Sequence, residues 1–221
     1  GATNALTAIA DAKLDSIPIV AITGQVPYSL VGTDAFQEVD TYGLTLPITK
    51  HNFLVRDVME LFEVIPEAFK IAVSGRPGPV VVDIPKDVQL QKVSLSELPD
   101  AFRLEEEEVL DNETLNTIEE AARMINESKR PVLYIGGGVI NADASQVITE
   151  IAEKSNIPVT CTLMGLGAFS PESPLYLGML GMHGARYTNF LLDETDLLIA
   201  LGVRFDDRAT GKVESFCPNA S

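Results

Sequence analysis

Five short runs rich in β-branched residues limit what this chain can fold into: "SIPIVAITG" (16–24), "VVVDIP" (80–85), "PVLYIGGG" (131–138), "IPVTCTL" (157–163) and "DLLIALGV" (196–203). Each is apolar on both alternating faces, as a strand is when helices cover both sides of its sheet, and such sheets are parallel. Helical spacing lies between the runs. Ala5, Leu6, Ile9, Ala10 and Leu14 recur at i, i+3, i+4 steps, as do Val55, Val58, Met59, Phe62, Ile65, Phe69 and Ala72. Alternation of this kind predicts an α/β fold built of parallel-sheet αβ layers.

Two αβ blocks flank a polar connector. The first occupies 1–87 and opens with a helix for which Thr3 or Asn4 is the expected cap. A long loop, 25–52, follows its first strand, and loops of that length inside a compact domain are usually functional. Pro66 is expected to kink or split the helix over 55–72. Residues 88–112 are charged, carry Pro99 and the tetrad Glu105 to Glu108, and read as a linker with a solvated face. The second block, 113–221, offers helices near 113–128 and 144–155 and a glycine-rich loop over 164–185.

The net charge of −16 excludes nucleic acid, whose phosphates need Lys and Arg to neutralise them. Cys161 and Cys217 form no CxxC pair, which predicts a reducing compartment, the cytoplasm, and no disulfide framework. His51 and His183 stand apart from any metal-ligand cluster, so no metal ligands are assigned. No apolar run approaches the roughly 20 residues that a membrane span requires, and no membrane partner is expected.

Ligands of open parallel sheets sit at the carboxyl ends of the strands. Three such ends are unusual here: Gly136-Gly137-Gly138, Thr162-Leu163-Met164-Gly165 and Gly202-Val203-Arg204-Phe205-Asp206. Together they suggest a cradle for a long ligand. The first invites a dinucleotide reading, with backbone N–H groups facing a pyrophosphate. GxGxxG fails at Asn141, however, and the strand that should end in an acid ends in Thr162-Leu163, which counts against an ordinary NAD dehydrogenase. Glycines serving only tight strand–helix turns remain the alternative. Arg76 and Arg204 are the best cations for a phosphate, although "RFDDR" (204–208) on its own reads more readily as a loop salt-bridge network than as a site. If the arginines meet a ligand, the neighbouring acids suit ribityl or ribose hydroxyls. Lys86 follows a strand end and reads as a surface lysine beside Asp87, and Gln25 and Gln37 lie in or beside the long loop.

Eight stretches in order carry a resemblance to a known family: "GATNALTAIADAKLDSIPIVAITGQVP", "GTDAFQEVD", "ITKHNFLV", "SGRPGPVVVDIPKDV", "PVLYIGGGVI", "TLMGLGAF", "LGMLGMHG" and "GVRFDDRATGK". The chain resembles, along essentially its whole length, the catalytic large subunit of the acetohydroxyacid synthase (acetolactate synthase) family. The resemblance implies an enzyme that uses thiamine diphosphate and Mg2+ to decarboxylate pyruvate and join the two-carbon unit to pyruvate or 2-oxobutyrate in branched-chain amino acid biosynthesis. It also implies FAD bound without net redox, a homodimer or tetramer, and a separate regulatory small subunit. On that pattern 1–87 is the latter part of a pyrimidine-binding domain, and 113–221 is the first half of a Rossmann-like central FAD-binding domain.

Carried over residue by residue, the resemblance places Gln37 and Phe36 near the thiamine ring. Arg76, Gly137, Thr162, Leu163, Leu180, Gly181, Met182, His183, Gly202, Val203, Arg204, Phe205 and Asp206 fall at FAD-contacting positions. Pro27, Lys50, Lys86 and Asp207 line the substrate channel. It further implies an internal piece, with the catalytic glutamate and the Gly-Asp-Gly diphosphate and Mg2+ motif outside these residues, and therefore no activity from the piece alone. A glyoxylate carboligase-like enzyme shares "SGRPGP" and "GGGVINAD" but departs at Lys86, "GMLGMHG" and "RFDDR". A non-catalytic FAD- or nucleotide-binding module is the reading from a different class.

Overall fold

The computed structural model describes residues 1–94, 96 and 111–220. They divide into two compact units, 1–107 and 108–221, each an α/β layer structure with a parallel sheet.

The first unit runs α1 (Ala2–Leu14), β1 (Val20–Gln25), α2 (Thr41–Thr45), β2 (His51–Leu54), α3 (Leu61–Val73), β3 (Val80–Pro85) and α4 (Lys86–Gln89). Its strands lie in the order β1-β3-β2, all parallel, with Thr23 beside Asp83 and Gln25 beside Pro85. The centre strand β3 sends alternate residues to opposite faces. Val80 and Val82 pack on one face with Val55, Ala68, Ala72 and Val88. Ala68 and Ala72 are buried on α3, and their small side chains let that helix lie close to the sheet. The other face carries Val81 together with the buried Asp83.

Several expectations fail locally. The cap of α1 is Gly1, because Thr3 and Asn4 already lie inside the first turn. Val55 and Val58 are not helical. Val55 follows β2 and donates its N–H to the Asp83 carbonyl, and Val58–Glu60 is a 3-10 turn whose Met59 N–H is bonded by Asp57. The α3 helix begins only at Leu61 and runs unsplit through Pro66. The loop expected over 25–52 contains α2 and β2. The sequence of β2, "HNFL", is too short and too polar to read as a strand, but docking beside β3 supplies its partners.

The second unit runs α5 (Asn112–Glu127), β4 (Pro131–Ile135), α6 (Gly137–Asn141), α7 (Ser145–Ser155), β5 (Val159–Cys161), β6 (Tyr176–Met179), α8 (Arg186–Glu194), β7 (Leu197–Leu201) and α9 (Asp207–Thr210). Its strand order is β6-β5-β4-β7, all parallel. Leu133 and Ile135 of β4 face Val139, Ile148, Ala152 and Phe169, whereas Val132 and Tyr134 face Leu180, Leu192 and Cys217. Both faces are thus covered, as the apolar runs predicted. Strand β6 lies inside the segment expected to be loop. Its glycine, Gly178, takes φ +73, and its pairing with β5 is irregular, which hides its period.

Of the linker expected over 88–112, residues 95 and 97–110, with the tetrad Glu105 to Glu108, lie outside the described residues. Val88 belongs to the core of the first unit, and α5 starts at Asn112.

Candidate functional site

In the second unit the chain steps from β4 outward to β5 and β6, then returns to place β7 on the other side of β4. That reversal is the switch point at which open α/β sheets leave a crevice beyond the strands' carboxyl ends. The glycines found there are needed by the backbone itself. Gly136 donates its N–H to Leu201 O and Gly138 donates to Gly202 O, at 3.0 and 2.9 Å. A Cβ on Gly136 would sit 2.3 Å from Gly202 O, and one on Gly138 would sit 2.5 Å from Gly202 Cα. Gly202 takes φ +60, a left-handed conformation that glycine adopts without strain. Gly165 closes the same cluster, since its Cβ would meet Ile135 O at 2.7 Å. These glycines therefore serve close packing of the turns that follow the strands, in keeping with the alternative of tight strand–helix turns.

Every residue of this unit assigned above to FAD lies on that one edge. Gly137 follows β4, Thr162 and Leu163 follow β5, Leu180 to His183 follow β6, and Gly202 to Asp206 follow β7. Strand β6 thus adds a fourth loop to the three seen in the sequence. This loop reaches the segment after β7: a Cβ on Gly181 would meet Arg208 O at 2.3 Å. Asn189 fixes it from both sides, donating to Gly181 O and accepting from Gly181 N. Thr162 accepts the Gly165 N–H at 3.0 Å and so shapes its own turn. Leu163, Met182 and Phe205 are 69%, 63% and 56% exposed, which leaves apolar surface along the edge. Phe205 is nevertheless anchored, edge-on to Tyr134 at 5.8 Å and to Phe216 at 6.0 Å. The Tyr134 hydroxyl is buried with no hydrogen-bond partner among the described residues, and burial pushes its pKa up to about 12.

Arg204 faces Asp206 at 3.8 Å, and Asp207 faces Arg208 at 3.9 Å. Asp206 also caps α9, accepting from Arg208 N and Ala209 N at 3.0 Å each. The acidic side chains of "RFDDR" thus serve the loop itself, while Arg204 remains exposed at the edge. A groove of about 370 Å3 beside them is lined by Met182, Asp207, Arg208, Phe216 and Cys217 among others. Both cysteines are buried and free.

In the first unit the carboxyl edge of the sheet gathers Pro27, Phe36, Gln37 and Lys86. Pro27 leads out of β1, Lys86 opens α4 directly after β3, and these two strands are neighbours. The Tyr28 N–H donates to Asp87 Oδ1 at 2.9 Å, which ties the two chain segments together. Phe36 is 89% exposed, and Gln37 takes φ +60. Lys50 and Arg76 are elsewhere. They precede β2 and β3, at the opposite edge, beside a groove of about 680 Å3 that Lys13 also lines. Arg76 donates to Ser16 Oγ at 2.8 Å and to the carbonyls of Lys13 and Leu14, the last of α1. Lys50 donates to the carbonyls of Ile71 and Ser74, and burial pulls its pKa down. Both cations thus sit at helix carboxyl ends, where the backbone dipole favours them.

Sequence reasoning passed over the most buried charge near these residues. Asp83, 2% exposed, accepts from Thr23 Oγ1 at 2.7 Å and from Gln25 Nε2 at 3.0 Å. Its signal was present as a lone acid inside "VVVDIP". Glu38 was missed as well, and only the folded loop reveals what it does. Among the described residues no group of three or more His, Cys, Asp or Glu side chains is gathered to hold a metal ion. No helix among them is long and apolar enough to cross a membrane.

Comparison with known proteins agrees with this geometry. Residues 118–221 match the family "Thiamine pyrophosphate enzyme, central domain", and residues 1–44 match "Thiamine pyrophosphate enzyme, N-terminal TPP binding domain". The chain belongs to the thiamine pyrophosphate enzymes. Within that class its homologues are acetolactate synthase large subunits. Isozyme 1 of Escherichia coli (strain K12) is 60% identical over 220 residues, and isozyme 2 of the same organism is 53% identical over 221. The large subunit of Cyanidium caldarium is 51% identical over 223 residues. Each alignment covers 100% of this chain but only 38 or 39% of the relative, so the chain spans about two fifths of their length.

Proposed function

We propose that the chain serves the acetolactate synthase reaction, in which pyruvate is decarboxylated and the two-carbon unit is joined to a second 2-oxo acid, pyruvate or 2-oxobutyrate. The observation that carries this reading is identity of 50–60% to acetolactate synthase large subunits along the whole chain.

In this reading 1–87 is the latter part of the pyrimidine-binding domain, and 113–221 is the first half of the central FAD-binding domain. Thiamine diphosphate supplies the carbanion chemistry when bound. Phe36 and Gln37 would lie against it, while Pro27 and the exposed cation Lys86 would line the approach, where Lys86 suits the carboxylate of a 2-oxo acid. Lys50, at the opposite edge of the first sheet, and Asp207, in the second unit, are assigned to the channel by the resemblance alone. The second unit's edge suits FAD, with apolar Leu163, Met182 and Phe205 for a planar ring, Arg204 for a phosphate, and side-chain-free backbone at Gly137, Gly181 and Gly202. Thr162, Leu180, His183, Val203 and Asp206 belong to the same set, whereas Arg76, in the first unit, is assigned to FAD by the resemblance alone. None of the described residues is assigned to Mg2+. The working enzyme is a homodimer or tetramer with a regulatory subunit, and two free buried cysteines suit a reducing compartment such as the cytoplasm.

The test is the full-length protein with thiamine diphosphate, Mg2+ and FAD, assayed for acetolactate from pyruvate. Product is expected from it and none from the 221 residues alone, which contain no Gly-Asp-Gly sequence. Carboligation of glyoxylate in place of pyruvate would reassign the enzyme, and FAD binding without any turnover would leave only a binding module.

A further inference from the structure

Two carboxylates shape the loop between β1 and α2, one at each end. At the tip, Glu38 turns back on its own loop. One carboxylate oxygen accepts from Gly32 N, and the other accepts from Ala35 N at 3.0 Å and Thr33 N at 3.3 Å. The backbone inside this ring is left-handed at Gly32 (φ +80), Asp34 (φ +57) and Gln37 (φ +60). Left-handed non-glycine residues cost energy and persist where surrounding bonds over-determine them. N–H groups pointing into one concavity attract an anion, and here the chain supplies its own. At the base, Gln25 Nε2 donates both to Val39 O at 2.9 Å and to the buried Asp83 carboxylate. Gln25 Oε1 accepts from Val26 N at 2.9 Å, so one side chain ties the loop's first residue to its last turn.

The residues this arrangement presents draw little support from packing, since Phe36 is 89% exposed and Gln37 is exposed too. Their positions depend on the hydrogen bonds of the loop. We propose that Glu38 is a positioning residue whose carboxylate latches the loop and so presents Phe36 and Gln37 to the reacting 2-oxo acids, with Gln25 and Asp83 anchoring its base. The proposal rests on the reading that Phe36 and Gln37 line the reaction site.

The test uses the full-length enzyme loaded with its cofactors, and compares Glu38→Gln and Gln25→Met with the wild type. Glu38→Gln keeps the side chain's length but turns an amide N–H2 toward a backbone N–H. Amides of 26–40 should exchange hydrogen about tenfold faster, because charge-assisted bonds are lost. The turnover number should fall by a factor on the order of ten to a hundred, as small misplacements of reacting groups do. KM for pyruvate should change less, and the thermal midpoint should shift by no more than about 2 °C. Gln25→Met should give the same pattern, weaker in turnover. Unchanged exchange in 26–40 for Glu38→Gln would remove the latch. Faster exchange with unchanged kcat and KM would deny it any role in positioning, and a kcat loss matched by loss of folded protein would make it merely structural. A wild type that yields no acetolactate is a separate result, seen before any variant is made. It would end the functional reading while the exchange data still decide the latch.

Discussion

The two sheets finish their carboxyl edges by different means. In the second unit, loop packs on loop through backbone alone: Gly136, Gly138, Gly165, Gly181 and Gly202 each bring main chain to a distance that a Cβ would make impossible. In the first unit, the edge loop is held by side chains, with Gln25 bonding both Asp83 and backbone and Glu38 bonding backbone. A backbone-packed edge is rigid and tolerates no added atom. A side-chain-latched edge tolerates small additions but depends on charge and hydrogen bonding. On the function proposed above, the difference suits one unit's edge to gripping a ligand and the other's to presenting side chains.

The largest effect expected from this contrast is that of Gly138→Ala. The new methyl would lie 2.5 Å from Gly202 Cα and 3.0 Å from its oxygen, and neither atom belongs to a flexible side chain. Destabilisation of about 3 kcal/mol is expected, read by chemical denaturation, with FAD affinity lost in parallel. A Gly138→Ala protein of wild-type stability would mean that the loops at the switch point are not interlocked through backbone. Next comes Asp83→Ala in the first unit, which leaves the Thr23 hydroxyl and the Gln25 amide without their buried acceptor. A loss of about 2 kcal/mol is expected. Loss below about 0.5 kcal/mol would show that the carboxylate's desolvation cost cancels its bonds.

How much of this was legible beforehand differs between the edges for the same physical reason. The glycine clusters announce themselves in sequence, since a glycine after a parallel strand has few other purposes, and three of the loops carrying them stood out as strand ends. The fourth strand, β6, was hidden by its positive-φ glycine and irregular pairing. In the first unit, β2 was invisible because two of its four residues are polar and its stability comes from β3, a neighbour distant in sequence. Asp83 stood out as a charge among valines, but the Gln25 and Thr23 bonds that make it tolerable depend on strand order, which no local pattern contains. Glu38 is one acid among 32 Asp and Glu, and nothing in its spacing distinguishes it. Nor did spacing reveal that Lys50 and Arg76 sit at the opposite edge from Pro27 and Lys86.

Acid separates two carboxylates, one in each unit, by sign. Burial lifts the Asp83 pKa above the usual carboxylate range, against hydrogen bonds from Thr23 and Gln25 that pull it down. Folding therefore favours its protonated form. That contribution is full below the unfolded pKa, about 4, and is lost as pH rises through the folded value. Asp196 behaves oppositely. The Ser128 hydroxyl and then the Lys129 N–H hold its pKa down to about 2, so its contribution is present above about pH 4 and is lost as pH falls through the folded value. Amide exchange resolved by unit across this range should show Asp83→Asn flattening the response of the first unit and Asp196→Asn that of the second. Two variants that shift in the same direction would contradict the assignment of buried and hydrogen-bonded carboxylates.

The smallest expected effect is the sharpest control. Gly24 lies in β1, and a Cβ there would meet only the flexible end of Gln89, at 3.6 Å, among the described residues. Glycine inside a strand costs conformational entropy on folding, so Gly24→Ala should be neutral or stabilise by about 0.5 kcal/mol. The substitution is chemically identical to Gly138→Ala, yet the two outcomes should differ by more than about 3 kcal/mol. Glycine content cannot produce that gap; only the backbone lying opposite the missing side chain can. If Gly24→Ala instead cost as much as Gly138→Ala, the first unit's edge would be as tightly interlocked as the second's. The division between a gripping edge and a presenting edge would then have to be abandoned.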